Sequence, residues 1–143
     1  MVEINFDKLD RTLVLAELSC NHLQSFDIAV RTIEAMKKAG ADVVKVQNDN
    51  PDGGITIDCD NEYFQIGGGT LWDGKTLNKL YKETYTPWEW LPKLQKVAHD
   101  LDMEFFSAPS DLEGVDFLEK MNVPAYKAVS YTHLRAHETL MNL

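Results

Sequence analysis

The chain has 143 residues, of which 44% are hydrophobic and 26% are charged, as in a soluble globular protein with one ordinary core. Its formal net charge of −9 argues against nucleic acid and anionic membrane surfaces as partners. No apolar run approaches the ~20 residues of a membrane span, and the acidic N-terminus lacks the plan of a signal peptide. Cys20 and Cys59 fit neither a disulfide framework nor a metal spacing. We therefore expect a cytoplasmic protein with free thiols.

The first part of the chain predicts a strand, a helix and a second strand. Leu13 to Ser19 is an apolar run typical of a buried strand. Ser25 is suited to cap a following helix, and Gly40 is suited to end it. Ala41 to Gln47 is a second, β-branched run. A unit of this kind predicts parallel strands joined by a right-handed crossover.

A long excursion then interrupts this alternation. Asn48 to Tyr85 is rich in glycine, aspartate and asparagine, and its last part, from Lys75, has the spacing of a helix. Long excursions after the carboxyl end of a strand are where α/β enzymes place substrate loops. We expect this segment to lie beside a functional site.

The remaining chain returns to the β/α alternation. Thr86 to Glu89 has the pattern of a capping box with Thr86 as the N-cap, which predicts a helix start. Met103 to Ala108 is a third strand, Ser110 or Asp111 caps another helix, and Pro124 to about Val129 is a fourth strand. Four parallel strands in chain order predict an incomplete (β/α)₈ barrel of about four units, since a whole barrel takes ~250 residues. A flavodoxin-like open sheet is the alternative.

Polar side chains stand at the ends of these predicted strands. The carboxyl ends of parallel strands form the functional face of α/β proteins, so we expect these side chains to meet on one rim. A carboxylate beside two ammonium groups suits an anionic substrate and proton transfer, whereas the alternative is a purely structural ion-pair network. The rim residues are Glu17, Lys45, Gln47, Ser107 and Lys127.

Two further motifs suggest other chemistry. Gly69 to Thr76 matches the P-loop pattern G-x-x-x-x-G-K-[ST], which makes a P-loop nucleotide hydrolase an alternative function. The Leu71-Trp72-Asp73 stretch is bulky for a phosphate cradle, so we expect a surface loop and a helix start instead. His133 and His137 are spaced as on one helix face, but their order is not that of a metalloprotease. We predict no metal site in this chain.

Five segments occur in the order and at the separations found in one known family. From about Leu13 to Lys127 the chain resembles the sialic acid synthase family, and Gly68 to Asp73 is most similar to its pseudaminic acid synthase branch. In this family that glycine-rich stretch occurs without a nucleotide site. The segments are Ala16 to His22, Val44 to Gln47, Thr86 to Trp90, Phe106 to Pro109, and Pro124 to Lys127.

The resemblance implies that phosphoenolpyruvate condenses with an acetamido sugar to give a nonulosonic acid and phosphate. It also implies a (β/α)₈ barrel, a divalent metal such as Mn²⁺ or Mg²⁺, and a homodimer in which a C-terminal antifreeze-like domain covers the partner's site. By position, Glu17 matches the acid/base carboxylate of the family. The residues that we expect to bind substrate are Lys45, Gln47, Ser107, Lys127, Ser130 and Asn21.

The chain also departs from the family. Ala108 and Ser110 replace a hydroxyl residue and a phenylalanine, and the family's metal-binding histidines have no counterpart. After Lys127 the expected Ile-Ala-Ser-Phe-Glu reads Ala-Val-Ser-Tyr-Thr. We therefore predict the N-terminal half of a synthase domain over 1–130 and a non-family tail over 131–143. A non-catalytic α/β module that binds a phosphate ligand is a further alternative.

Overall fold

A computed structural model describes residues 8–52 and 56–128. The predicted tail over 131–143, the substrate-binding residue Ser130 and the end of the predicted fourth strand at Val129 lie outside these ranges. Within the described ranges, no helix is long and apolar enough to cross a membrane. The elements are the strands β1 (Leu15–Ser19), β2 (Val43–Asn48) and β3 (Glu104–Pro109), and the helices α1 (Phe26–Lys38), α2 (Leu77–Thr84), α3 (Leu91–Asp100) and α4 (Leu112–Lys120).

The three strands form one parallel sheet in the order β1-β2-β3. The prediction of an α/β fold with a parallel sheet is therefore confirmed. Beside β3 the structure has a single parallel bridge, between Tyr126 and Ser107, where the sequence predicts a fourth strand. The Lys127 N–H donates to the Ser107 carbonyl oxygen at 3.1 Å. Pro124 has no N–H, so no ladder hydrogen bond can be donated from that position.

The helices α1, α3 and α4 cover one face of this sheet. Side chains along a strand alternate between its two faces, and Val44, Val46 and Phe105 are fully buried on the face that packs against the helices. Ile33 of α1 and Leu94 of α3 complete this core. The same alternation places the side chains of residues 17, 45 and 47 on the opposite face, which leaves them outside the helix-covered core.

Two of the predicted helix caps are confirmed, and one further cap was not predicted. The Ser25 hydroxyl accepts from the Ile28 N–H at the start of α1, and the Asp111 carboxylate accepts from the Gly114 N–H at the start of α4. The Thr76 hydroxyl caps α2 in the same way. Each cap satisfies a backbone donor that the first helical turn leaves without a partner.

The predicted capping box at Thr86 is wrong. A 3₁₀ turn spans Trp88–Trp90 without a side-chain cap, and α3 begins only after it, with Pro92 in its first turn. The Thr86 side chain is buried, and its hydroxyl bonds to His22 instead of the helix. The Thr86 hydroxyl thus makes a tertiary contact, although the local sequence pattern predicted that it would cap a helix.

Candidate active site

The ends of β1 and β2 bring Glu17 and Lys45 side by side. The two residues are paired in the sheet register, and the Lys45 Nζ lies 2.6 Å from the Glu17 Oε1. The Lys45 side chain is only 2% exposed, whereas that of Glu17 is 39% exposed. A buried ammonium group requires a partner of opposite charge. The pair therefore holds a fixed cation in the interior and a carboxylate that reaches solvent.

Gln47 is held at the same end of the sheet. The Ser19 hydroxyl donates to the Gln47 Oε1. Ser19 has a positive φ of 54°, and the register between β1 and β2 shifts between Glu17 and Ser19. This irregularity turns the Ser19 side chain toward β2, where its hydroxyl contacts Gln47, two residues after Lys45.

Asp49 follows β2 and is a buried acid that sequence patterns did not single out. The Cys20 Sγ lies 3.9 Å from the Asp49 Oδ2. Burial raises the pKa of Asp49, the Asp111 charge raises it further, and the Cys20 hydrogen bond and Lys45 lower it. Burial, with the nearby Asp49 charge, also raises the pKa of the Cys20 thiol. Cys20 is therefore protonated at neutral pH and unsuited to act as a nucleophile.

His22 is a second buried group that the sequence left without a role. Its Nδ1 accepts from the Gln24 N–H at 3.2 Å, so Nε2 carries the proton and donates to the Thr86 Oγ1 at 3.1 Å. Burial lowers the pKa of His22. Trp90 packs edge-on against the ring at a centroid distance of 5.3 Å. The imidazole thus joins the β1–α1 turn to the segment before α3 as a neutral, structural group.

Ser107 does not lie on the rim that the sequence predicts. The strand alternation places it on the helix-covered face, where it is fully buried. Its hydroxyl donates to the Asn48 Oδ1 at 2.7 Å, and the Asn48 Nδ2 donates to the Gly114 carbonyl oxygen at 3.4 Å. Ser107 therefore stabilises the end of β2 from the helix-covered face of the sheet. Its hydroxyl is buried there and is not exposed to a ligand.

Asn21 and Lys127 are not joined to the ion pair. Asn21 is exposed in the turn after β1, where its N–H donates to the Leu18 carbonyl oxygen at 3.1 Å. Lys127 is exposed beside β3, held by its backbone N–H. Neither side chain has a hydrogen bond or ion pair with Glu17 or Lys45 among the described contacts.

In the P-loop-like stretch from Gly69 to Thr76, backbone N–H groups donate to a carboxylate of the same stretch. The Asp73 carboxylate accepts from the N–H groups of Gly69 and Thr70 at 3.0 and 2.9 Å, and from the Thr70 hydroxyl at 2.7 Å. These bonds lower the pKa of Asp73. Lys75 pairs with Glu83. The donors that a P-loop offers to phosphate are thus occupied by the chain's own carboxylates, which argues against a nucleotide hydrolase.

The described residues do not fit a divalent metal site. In the ranges 8–52 and 56–128, no group of three or more His, Cys, Asp or Glu side chains is arranged to hold a metal ion. Zinc sites in proteins require three or four such ligands converging on one point. The described residues therefore do not by themselves form such a site.

Comparison with curated proteins relates the chain to synthases of bacterial sugars. It is 40% identical over 127 residues to the pseudaminic acid synthase of Campylobacter jejuni serotype O:2, which is 89% of this chain and 36% of that protein. It is 39% identical over 118 residues to the pseudaminic acid synthase of Helicobacter pylori, which is 82% of this chain and 34% of that protein. The chain thus spans about a third of the length of these relatives.

Solved structures share the fold. The N-acetylneuraminic acid synthetase of Leptospira borgpetersenii superposes with a TM-score of 0.60 at 21% identity, covering 80% of this chain and 34% of that one. The spore coat polysaccharide biosynthesis protein spsE of Bacillus subtilis superposes with a TM-score of 0.54 at 24% identity, covering 80% and 28%. At these identities the likeness establishes the fold alone.

The family comparison matches residues 32–141. This range runs past residue 130, where the sequence predicts a departure from the family, and that domain boundary stays a prediction. The match takes in more than half of the chain and includes β2 with its buried lysine. The chain belongs to the NeuB family.

Proposed function

We propose that this chain is the N-terminal part of a phosphoenolpyruvate-dependent nonulosonic acid synthase of the pseudaminic acid type. The enzyme would join phosphoenolpyruvate to an acetamido sugar and release phosphate. Membership of the NeuB family and 39–40% identity to two pseudaminic acid synthases support the assignment. The observation that carries it is the Glu17–Lys45 pair, because it combines a fixed cation and a solvent-reaching carboxylate at the strand ends.

The proposed chemistry divides between these two side chains. Forming a carbon–carbon bond between an enol phosphate and a sugar carbonyl requires a held anion and a positioned proton carrier. Lys45 would bind the phosphoenolpyruvate anion, with its ammonium group held in place by the contact with Glu17. Release of phosphate consumes one water molecule, whose oxygen becomes the keto oxygen of the product. Glu17 would relay a proton from this water to the sugar carbonyl oxygen, which becomes a hydroxyl when the carbon–carbon bond forms, since its carboxylate reaches the solvent side.

Other parts of the proposal concern the remaining substrate contacts and the whole protein. Gln47, Asn21, Lys127 and Ser130 are proposed substrate contacts, and Ser107 is proposed to act only through Asn48. The fold would be the first part of a (β/α)₈ barrel in a cytoplasmic homodimer. The family's divalent metal would be held by residues other than those described here, and neither nucleic acid nor a membrane is a proposed partner.

A segment exchange tests the proposal. Residues 8–128 would replace the corresponding segment of the Campylobacter jejuni pseudaminic acid synthase, giving a protein that we call the chimera. We expect the chimera to release phosphate from phosphoenolpyruvate only when the acetamido sugar is present. A chimera that melts cooperatively but releases no phosphate would contradict the proposal. Phosphoenolpyruvate binding without turnover would instead favour a non-catalytic phosphate-binding module.

Two lysine variants sharpen the test. Lys45→Ala in the chimera should abolish activity, chiefly through a raised KM for phosphoenolpyruvate, because the ligand loses its fixed cation. Lys75→Ala is the matched control, since Lys75 pairs with Glu83 on the surface, and it should leave kcat and KM unchanged. Unchanged kinetics in the Lys45 variant would remove that residue from the site.

A further inference from the structure

Ser19 has a backbone conformation that a serine rarely adopts. Its φ of 54° lies in the left-handed region, which non-glycine residues avoid because Cβ crowds the backbone. The conformation coincides with the register shift at the end of β1. A residue held in such a conformation requires surrounding contacts that fix it.

A buried chain of hydrogen bonds supplies these contacts. The His22 Nε2–H donates to the Thr86 Oγ1 at 3.1 Å, and the Thr86 hydroxyl lies 3.5 Å from the Ser19 carbonyl oxygen. His22 and Thr86 are both fully buried. Groups that are buried and hydrogen-bonded in sequence hold one another in a single arrangement. His22 and Thr86 therefore fix the Ser19 backbone from the interior.

The Ser19 side chain in turn restrains the side-chain amide of Gln47. A glutamine amide has an acceptor end, Oε1, and a donor end, Nε2. Because the Ser19 hydroxyl donates to Oε1, the donor end is the one left for another partner. Lys45 lies two residues earlier on β2, so its side chain and that of Gln47 leave the same face of the sheet.

We propose that Ser19 is a positioning residue that fixes the Gln47 side chain so that its Nε2 donates to an oxygen atom of the substrate. The inference rests on the proposed function, in which Gln47 contacts the substrate. Ser19 itself does not contact the substrate. Its contribution is to prevent the amide from turning its carbonyl end toward an oxygen-rich ligand, where two acceptors would face each other.

Ser19→Gly in the chimera tests the role of the hydroxyl separately from the role of the backbone conformation. Glycine adopts a positive φ without strain, so the melting temperature should be retained, while kcat/KM should fall about tenfold through the lost hydrogen bond. Whichever substrate has its KM raised by Gln47→Ala should also have its KM raised by Ser19→Gly. Ser110→Ala removes a hydroxyl that binds Asn50 instead, and it should leave both KM values unchanged.

A double-mutant cycle shows whether Ser19 acts through Gln47. If it does, adding Ser19→Gly to Gln47→Ala should cause no further loss of kcat/KM, since the coupling is complete. Losses that multiply would overturn the inference, as would a Ser19→Gly variant with parental kinetics. Loss of activity in the parent chimera would count against the proposed function alone.

A second readout does not depend on activity. In the ¹⁵N spectrum of the folded chimera, the Gln47 side-chain NH₂ group should give signals displaced from those of a solvent-averaged glutamine. Ser19→Gly should return them to the solvent-averaged position, and Ser110→Ala should not. Unchanged Gln47 signals in the Ser19 variant would overturn the inference even in an inactive protein.

Discussion

Lys45 and Glu17 form an ion pair whose two members are unequally buried. Their charged atoms lie 2.6 Å apart, yet the lysine side chain is 2% exposed and the glutamate side chain is 39% exposed. The solvent-reaching carboxylate is partly hydrated without its partner. The ammonium group is buried, and among the described contacts Glu17 is its ion-pair partner, while Asp49 interacts with it only through the charge that lowers the Asp49 pKa. Removing one member of the pair is therefore not equivalent to removing the other.

This asymmetry predicts unequal effects on stability. Glu17→Ala leaves a buried cation without its hydrogen-bonded partner, and we expect it to lower the free energy of unfolding by about 2–4 kcal/mol. Lys45→Met leaves only a hydrated carboxylate and should cost less than about 1 kcal/mol. Denaturant unfolding of the two chimera variants measures the difference. Equal losses, or a larger loss for Lys45→Met, would contradict the unequal burial.

The sequence predicted the elements better than the contacts between them. The three strands and the helix caps at Ser25 and Asp111 follow from apolar runs and local hydrogen bonding, and the structure has them within a few residues of the predicted bounds. Ser107 was placed on the wrong face because strand position does not by itself fix the phase of the alternation. The bond between His22 and Thr86 joins residues far apart in the chain, so no local pattern could indicate it.

Gly114 is expected to be intolerant of a larger side chain. A Cβ added there would lie 2.8 Å from the Asn48 Nδ2 and 3.1 Å from the Asp111 Oδ1. Gly114→Ala should displace Asn48 from Ser107 and lower the free energy of unfolding by about 1–3 kcal/mol. Urea unfolding of the chimera measures this, with Gly67→Ala as the control because an added Cβ there meets nothing within 4 Å. Equal stability of the two variants would show that α4 can shift to accommodate the methyl group.

The glycine-rich loop is expected not to bind nucleotide. Asp73 and Glu83 occupy the donors that ATP would need, so isothermal titration of the chimera with Mg²⁺–ATP should give no binding isotherm. Asp73→Ala should loosen the loop without creating a site, since Lys75 remains paired. Tight Mg²⁺-dependent binding that Lys75→Ala abolishes would restore the P-loop assignment.

His22 should make the fold sensitive to acid. Burial lowers its pKa from an ordinary value of 6.5, so the unfolded state binds the proton more readily than the folded state does. Stability is therefore fully present above about pH 6.5 and is lost as the pH falls toward the folded-state value, at up to ~1.4 kcal/mol per pH unit. His22→Gln keeps a donor toward Thr86 but cannot titrate. The difference between the two unfolding profiles should be independent of pH above pH ~7 and should change as the pH falls below it, and parallel profiles below pH ~6 would contradict the argument.

The 143-residue chain by itself is expected to have no synthase activity and to associate. In the part of the chain that the structure describes, β1 pairs only with β2, so its other edge carries unpaired backbone groups. Val14 and Leu15 are 54% and 42% exposed at this edge. An open edge with exposed apolar side chains recruits further strands. The proposed divalent metal would also find no ligand cluster within 8–52 and 56–128, and the chain spans about a third of its relatives' length, so we expect the chemistry to fail independently of association.

Gel filtration and a phosphate-release assay on the same sample test this expectation. The chain should elute as oligomers or aggregate, melt without cooperativity, and release no phosphate from phosphoenolpyruvate in the presence of the acetamido sugar. The chimera, in which the edge of β1 can pair with the remainder of the synthase, should be cooperative and active under identical conditions. A charge placed on the edge separates the two causes of failure: Leu15→Lys should reduce association but should not restore activity. A monomeric 143-residue chain that turns over both substrates would show that these residues form a complete site.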